Sequence, residues 1–334
     1  MASHDNIKLT ASELSNLFMS YLEDTLVVCV TSYFLEHVED PDIKECIKFS
    51  QEIAERNVDF RRNLYKKEGL PIPVGFTEHD VNVTAPRIFS DEMMLQYTAN
   101  LGITAMGAYS SSVALSARHD IRAHYTSCLH SAAEIFNRSA NMLQEKGLFI
   151  RSPYIPYPNI SEFVEKEHFL AGWMGDQRPL TSTEISFLYL NLFRNALGAA
   201  FLTGFAQISE SKEVRKFMVR GSEIAKHHEA VFGKFLSESN IPTPVSWSMS
   251  VSRSQEPVFS DKLLMFHTNA LNNVGMSFYG QSLAGSPRRD LSAAYSRLIV
   301  EIGEFVSDGT QIMIDNGWLE KPPSAPNRKE LAKG

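Results

Sequence analysis

The chain has 334 residues, 43% hydrophobic and 21% charged, too apolar for a disordered protein and long enough for about two domains. Its 32 Lys+Arg against 39 Asp+Glu give a net charge of −7, which argues against nucleic acid as the principal partner, because phosphate binding needs a basic face. The opening segment carries no apolar run of a secretory signal, and no apolar run reaches the ~18 charge-free residues of a membrane span, so a cytoplasmic protein with no membrane span is expected.

In chain order, apolar residues recur at steps of three and four and predict helices near 11–38, 41–67, 90–115 and 119–146. An aromatic and proline-bearing stretch follows at 149–179, with Tyr154, Tyr157, Phe163, Phe169 and Trp173; this composition suits a linker packed on the surface. A second set of four then begins. Ser182 or Thr183 with Glu184 opens a stripe of Ile185, Leu188, Leu192, Asn195 and Ala199, which Ser209–Ser211 break. Val214, Phe217, Ile224, His228 and Val231 form the next stripe, stopped by Pro242 and Pro244. Ser260 and Asp261 cap the third, carrying Leu264, His267 and Leu271, and the fourth runs from Leu291 to Asn316–Gly317.

The two sets are copies. Leu9-Thr10-Ala11-Ser12-Glu13-Leu14 matches Leu180-Thr181-Ser182-Thr183-Glu184-Ile185, at an offset of 171 residues. Leu70-Pro71-Ile72-Pro73 matches Ile241-Pro242-Thr243-Pro244 at the same offset, and Phe89-Ser90-Asp91 matches Phe259-Ser260-Asp261 at 170. A period this long marks a duplicated domain, since solenoid repeats run about 20–50 residues. Two short connections around one long middle connection suit a four-helix bundle with a crossover, with a plain up-down bundle and an ordered loop as the runner-up. The reading is all-α: two tandem ferritin-like four-helix bundles at 1–148 and 180–320, the linker at 149–179, and a frayed tail at 321–334. The covalent duplication predicts a pseudo-dimeric monomer, with a homodimer as the alternative.

Ferritin-like dimetal centres need a Glu from two helices and Glu-x-x-His from the other two, and no such set is intact here. Copy two nevertheless places Asn195, His228, His267 and Glu301 on or beside the apolar stripes of its four helices. Counting ~1.5 Å per residue puts Asn195, His228 and Glu301 near one depth and His267 about two turns further along. Two imidazoles and a carboxylate suit one divalent transition metal (Fe, Mn or Zn); a buried hydrogen-bond network is the competing reading. Copy one has Asp24, Asn57, Tyr97 and Ser131 at these positions, and Asp24, Asn57, Tyr97 and Glu134 suit a metal-free polar layer. His124 and His130 are expected at the surface, and Cys29, Cys46 and Cys128 as core thiols in a reducing compartment, with no base near Cys29 or Cys128. Arg118 and Arg288, two residues before Asp120 and Asp290, read as salt-bridge or cap partners, and no nucleotide-binding or hydrolase motif is present.

Leu70-Pro71-Ile72-Pro73-Val74-Gly75-Phe76-Thr77-Glu78, Ser116-Ala117-Arg118-His119-Asp120-Ile121-Arg122, Ser152-Pro153-Tyr154-Ile155-Pro156, Phe259-Ser260-Asp261-Lys262 and Gly317-Trp318-Leu319-Glu320 resemble a duplicated ferritin-like family of spore-forming bacilli, related to spore coat protein F-type sequences. The resemblance implies a four-helix bundle per copy and makes an interhelical metal site an expectation; it implies no reaction, substrate or catalytic residue. Three functions follow as expectations: a metal-binding, redox- or stress-related protein with one centre in copy two; a non-enzymatic spore or spore-coat structural protein whose polar layer holds no metal; and a binder using the groove between copies.

Overall fold

The computed structural model describes residues 7–165, 167–171, 178–243 and 251–332. Copy one folds as α1 (Ala11–His37), α2 (Pro41–Lys67), α3 (Asp91–Leu115) and α4 (His119–Glu145). Copy two folds as α5 (Ser182–Ile208), α6 (Lys212–Glu238), α7 (Asp261–Gly285) and α8 (Arg289–Asp315), and a short α9 (Arg328–Leu331) follows. Every helix of copy two has the length of its counterpart, at the offsets read from the sequence. The described residues contain no strand, only an isolated antiparallel bridge between Phe89 and Val251.

Local chemistry sets the ends. Thr10 and Thr181 cap α1 and α5 in capping boxes with Glu13 and Glu184, so the cap of α5 is Thr181 and not the expected Ser182 or Thr183. Asp40 caps α2 ahead of Pro41 at its first position, where the missing N–H costs nothing. Gly147 and Gly317 follow the last helices of the two copies at φ +68, a left-handed turn that a side chain would strain.

Carboxylates at the helix ends reveal the direction of the helices. The Asp91 side chain, at the start of α3, accepts from the backbone N–H groups of Glu39 and Asp40 at 3.2 and 2.8 Å, just before α2. Thus α2 and α3 start at the same end and run parallel. Glu13 near the start of α1 accepts from the Arg118 N–H at 2.7 Å, so α1 and α4 start together at the other end. Asp261 with Glu210 and Ser211, and Glu184 with Arg288, repeat both arrangements in copy two. Parallel second and third helices require the long crossover that the sequence spacing indicates.

The chain divides into two compact units. Unit one comprises Met1–Thr84, Asp91–Gly147 and Gly317–Gly334; unit two comprises Ala85–Ser90 and Leu148–Asn316. The cores use matching positions: Leu17, Ile121, Tyr125 and Cys128 in unit one, Leu188, Leu291, Tyr295 and Leu298 in unit two. Unit two also takes in the end of the first crossover: Phe89 packs on Phe201 and Phe205, with ring centroids 4.9 and 6.2 Å away. In unit one, the Glu320 carboxylate accepts from the Val74 and Gly75 N–H groups at 2.8 and 3.2 Å, so the segment after α8 is held there by Glu320.

One expectation changes. The linker side chains Tyr154, Tyr157 and Phe163 are 84%, 91% and 96% exposed instead of packed, because residues 149–165 form no helix with an apolar face to bury. Trp173 and Pro244 lie outside the described residues. Among the described residues α5 alone is long and apolar enough to cross a membrane by length and composition; it is a core helix of unit two.

Candidate functional site: the polar layers of the two bundles

In unit two the polar layer is a chain of hydrogen bonds through all four helices. Asn195 on α5 donates from Nδ2 to the Asn191 carbonyl at 2.7 Å and to the Tyr279 hydroxyl on α7 at 2.6 Å. The Tyr279 oxygen lies 3.1 Å from Nδ1 of His228 on α6, and Nε2 of His228 lies 3.1 Å from Glu301 on α8. An ionised Glu301 only accepts, so Nε2 carries the proton and Nδ1 accepts from the Tyr279 hydroxyl. Burial holds His228 below the ordinary imidazole range despite the opposing pull of Glu301, so the ring is neutral at neutral pH. His228 is fully buried, whereas the Glu301 side chain is 39% exposed. Beside this chain Asn191 donates to Ser282 at 2.8 Å.

Unit one solves the same layer with charge. Arg61 on α2 pairs with Asp24 on α1, and the Tyr109 hydroxyl on α3 donates to Asp24 at 3.3 Å. Arg61 also reaches the Ser20 carbonyl and sits over the Tyr125 ring of α4. Cys128 on α4 donates to the Asn57 side-chain oxygen at 3.4 Å and lies 3.5 Å from Nε2 of His124. Burial pushes the Cys128 thiol up to about 12 and the His124 imidazole down to about 3, so this neighbouring pair is a thiol beside a neutral ring, not a thiolate nucleophile. Glu23, next to Asp24, is raised to about 7 by burial and by the Asp24 charge.

The structure brings together Asn195, His228 and Glu301, and it separates His267 from them. His267 and Tyr279 are on the same helix, twelve residues apart, about 18 Å at the helical rise. His267 packs against Phe205 at 5.4 Å, and burial lowers its imidazole to about 4. The four-residue ligand set His228, His267, Glu301 and Asn195 is therefore not one constellation: a single imidazole and a single carboxylate remain together. That pair does not fit the dinuclear carboxylate centre of ferritin-like bundles, and no group of three or more His, Cys, Asp or Glu suited to a metal occurs among the described residues. In copy one, Tyr97 packs on Phe34 and Glu134 pairs with Arg138 at the surface, so neither joins the expected layer with Asp24 and Asn57. Arg61 and Tyr109 take their places. His124 is not at the surface but half-buried, stacked 3.8 Å from Phe60, and it supplies the base near Cys128 that was not expected; His130 is exposed. Sequence reasoning missed Tyr279, Tyr109 and Arg61. Tyr279 and Tyr109 occupy equivalent places in the repeat, a signal that alignment of the copies contains.

The profile of a family described as "Protein of unknown function (DUF3231)" matches residues 2–160 and 168–331. No curated protein matches the chain. A crystal structure of a Bacillus halodurans C-125 protein, provisionally named a spore coat protein, is similar at 16% identity and a TM-score of 0.40, over 48% of this chain and 100% of that one.

Proposed function

We propose, for a chain that belongs to the DUF3231 family in each of its halves, a structural rather than a catalytic role, with the polar layers setting helix register inside two helical bundles. The observation that carries this reading is the His228 ring, whose two nitrogens are already bonded to Tyr279 and Glu301. A buried polar group must be paired, and here the partners come from the protein itself. The crossover order of the helices supports the ferritin-like assignment of each bundle. The resemblance to spore coat protein F-type sequences supports the spore as the place of action. The duplication supports a monomer of 37.5 kDa, which light scattering checks.

Elemental analysis tests the reading against its competitor, a Fe, Mn or Zn centre on His228 and Glu301. The structural role expects substoichiometric metal and an unfolding midpoint unchanged by chelator. Near-stoichiometric metal that disappears in His228→Ala overturns it.

A further inference from the structure

The two bundles differ in one further respect. Unit two contains a cavity of about 80 Å³ between its helices, lined by Asn191, Asn195, His228, Asn272 and Tyr279 together with Gly198 and Gly275. The glycines are the informative residues. A Cβ built on Gly221 or Gly309 would fall 2.7 or 2.6 Å from a neighbouring phenylalanine, so close packing explains them. A Cβ on Gly198 or Gly275 meets nothing within 4 Å. An interior helical glycine costs stability relative to alanine, and neither packing nor backbone conformation requires one at these two positions. Both border the open space of the cavity. Copy one carries Val27 and Ala105 there, and Gly102 where copy two has Asn272. A Cβ on Gly102 would lie 2.7 Å from the Phe136 backbone nitrogen, so α3 and α4 close up in unit one at the level of the cavity.

The polar groups around the space define what enters it. Asn195 and Asn272 each direct Nδ2 to a carbonyl of their own helix, at 2.7 and 2.8 Å, and Asn191 directs Nδ2 to Ser282. Their amide oxygens are the acceptors left over. The Asn191 side-chain oxygen is buried and makes no direct hydrogen bond, with the buried Tyr295 hydroxyl beside the amide group. The Arg194 guanidinium also lines the cavity, which disfavours a cation, and three acceptor oxygens disfavour an anion. At roughly 10–15 Å³ of such volume per water, the space holds several waters or one guest of a few heavy atoms.

We propose that this cavity is a binding site for a small neutral hydrogen-bond donor, either ordered water or a primary-amide-sized organic molecule, and that copy one has no counterpart. Acetamide is the probe, with N,N-dimethylacetamide, which lacks N–H donors, as its control. Saturation-transfer NMR on the full chain should show saturable acetamide binding, at least about tenfold weaker for the dimethylated analogue. The Gly198→Ala/Gly275→Ala chain should melt at or above the parent temperature and bind acetamide at least about tenfold more weakly. Gly275→Ala alone is the fallback where the double variant does not fold. A crystal structure of the unliganded chain separates the two sources: ordered waters on the Asn191 oxygen without saturable acetamide binding make water the guest. A dry cavity with no acetamide binding, equal binding of the two amides, or undiminished binding by the filled variant overturns the proposal.

Discussion

Arg61 and Phe232 stand at equivalent places on α2 and α6, and this exchange, with Asp24 against Asn195, sets the two polar layers apart. Removing one member of a buried ion pair strands the other, at a cost of about 3–5 kcal/mol, whereas replacing both with residues of matched shape is often neutral. Arg61→Ala should therefore destabilise by that amount in urea unfolding. Asp24→Asn combined with Arg61→Phe, which installs the residues of the second layer, should recover most of the loss; a double variant as unstable as the single one would sink the account. His267 provides a pH dependence. Its folded-state imidazole lies at about 4 against an ordinary value near 6.5, so the unfolded chain takes up the proton first. This contribution to stability is complete above about pH 6.5. It is lost as pH falls towards 4, at no more than about 1.4 kcal/mol per unit. His267→Tyr, the residue of copy one, should flatten the stability profile between about pH 6.5 and about pH 4.5, and an unchanged slope would refute the assignment.

The helix ends are joined by buried carboxylates. Glu184 accepts from Thr181 N–H at 2.9 Å, from both nitrogens of the Arg178 fork at 2.7 and 2.8 Å, and from the Arg288 N–H at 3.3 Å. One side chain thus satisfies the free N–H groups at the starts of α5 and α8. Burial raises its pKa, but Arg178 and these hydrogen bonds outweigh it, and the net value lies below the ordinary range. The sign follows: the stabilisation is present above about pH 4.5 and is lost as pH falls through the folded-state value. Glu184→Gln keeps the shape and removes the charge, and should cost about 1–3 kcal/mol at neutral pH by chemical denaturation. Gly75 is a second element-scale test. It adopts φ +63, and an added Cβ would fall 2.7 Å from Thr25 Oγ1, the atom that accepts from the Phe76 N–H. Gly75→Ala should therefore destabilise by more than Gly147→Ala, where φ is +68 but the space is open and only the backbone cost of about 1 kcal/mol applies. Equal losses would show that Thr25 gives way freely.

Across the whole molecule, copy boundaries and compact units do not coincide. Unit two includes Ala85–Ser90 from the first crossover, and unit one includes the segment after α8. Truncation after Asn316 leaves all four helices of copy two intact but removes the Glu320 carboxylate from the Val74 and Gly75 N–H groups. The damage should appear in copy one: faster hydrogen exchange at these two amides, with the α5–α8 amides unaffected. Faster exchange confined to copy two would contradict this division of the chain.

Residue spacing by itself determined the helical class, the duplication and helix ends to within a residue or so, and it favoured the crossover that makes the second and third helices parallel. Each of these rests on local signals: apolar steps of three and four, a capping side chain, a proline, a connection too long for a hairpin. The polar stripe positions of Asn195, His228 and Glu301 were legible for the same reason. Only tertiary structure decided which polar groups meet. Tyr279 and Arg61 follow the same periodicity as ordinary core and surface residues, and their roles depend on facing helices aligning to within a hydrogen-bond length. The gap between His267 and His228 and the open space beside Gly198 and Gly275 likewise arise from interhelical register. A one-turn slip moves a side chain by about 5.4 Å, more than a hydrogen bond spans, and leaves the periodicity of each single helix unchanged.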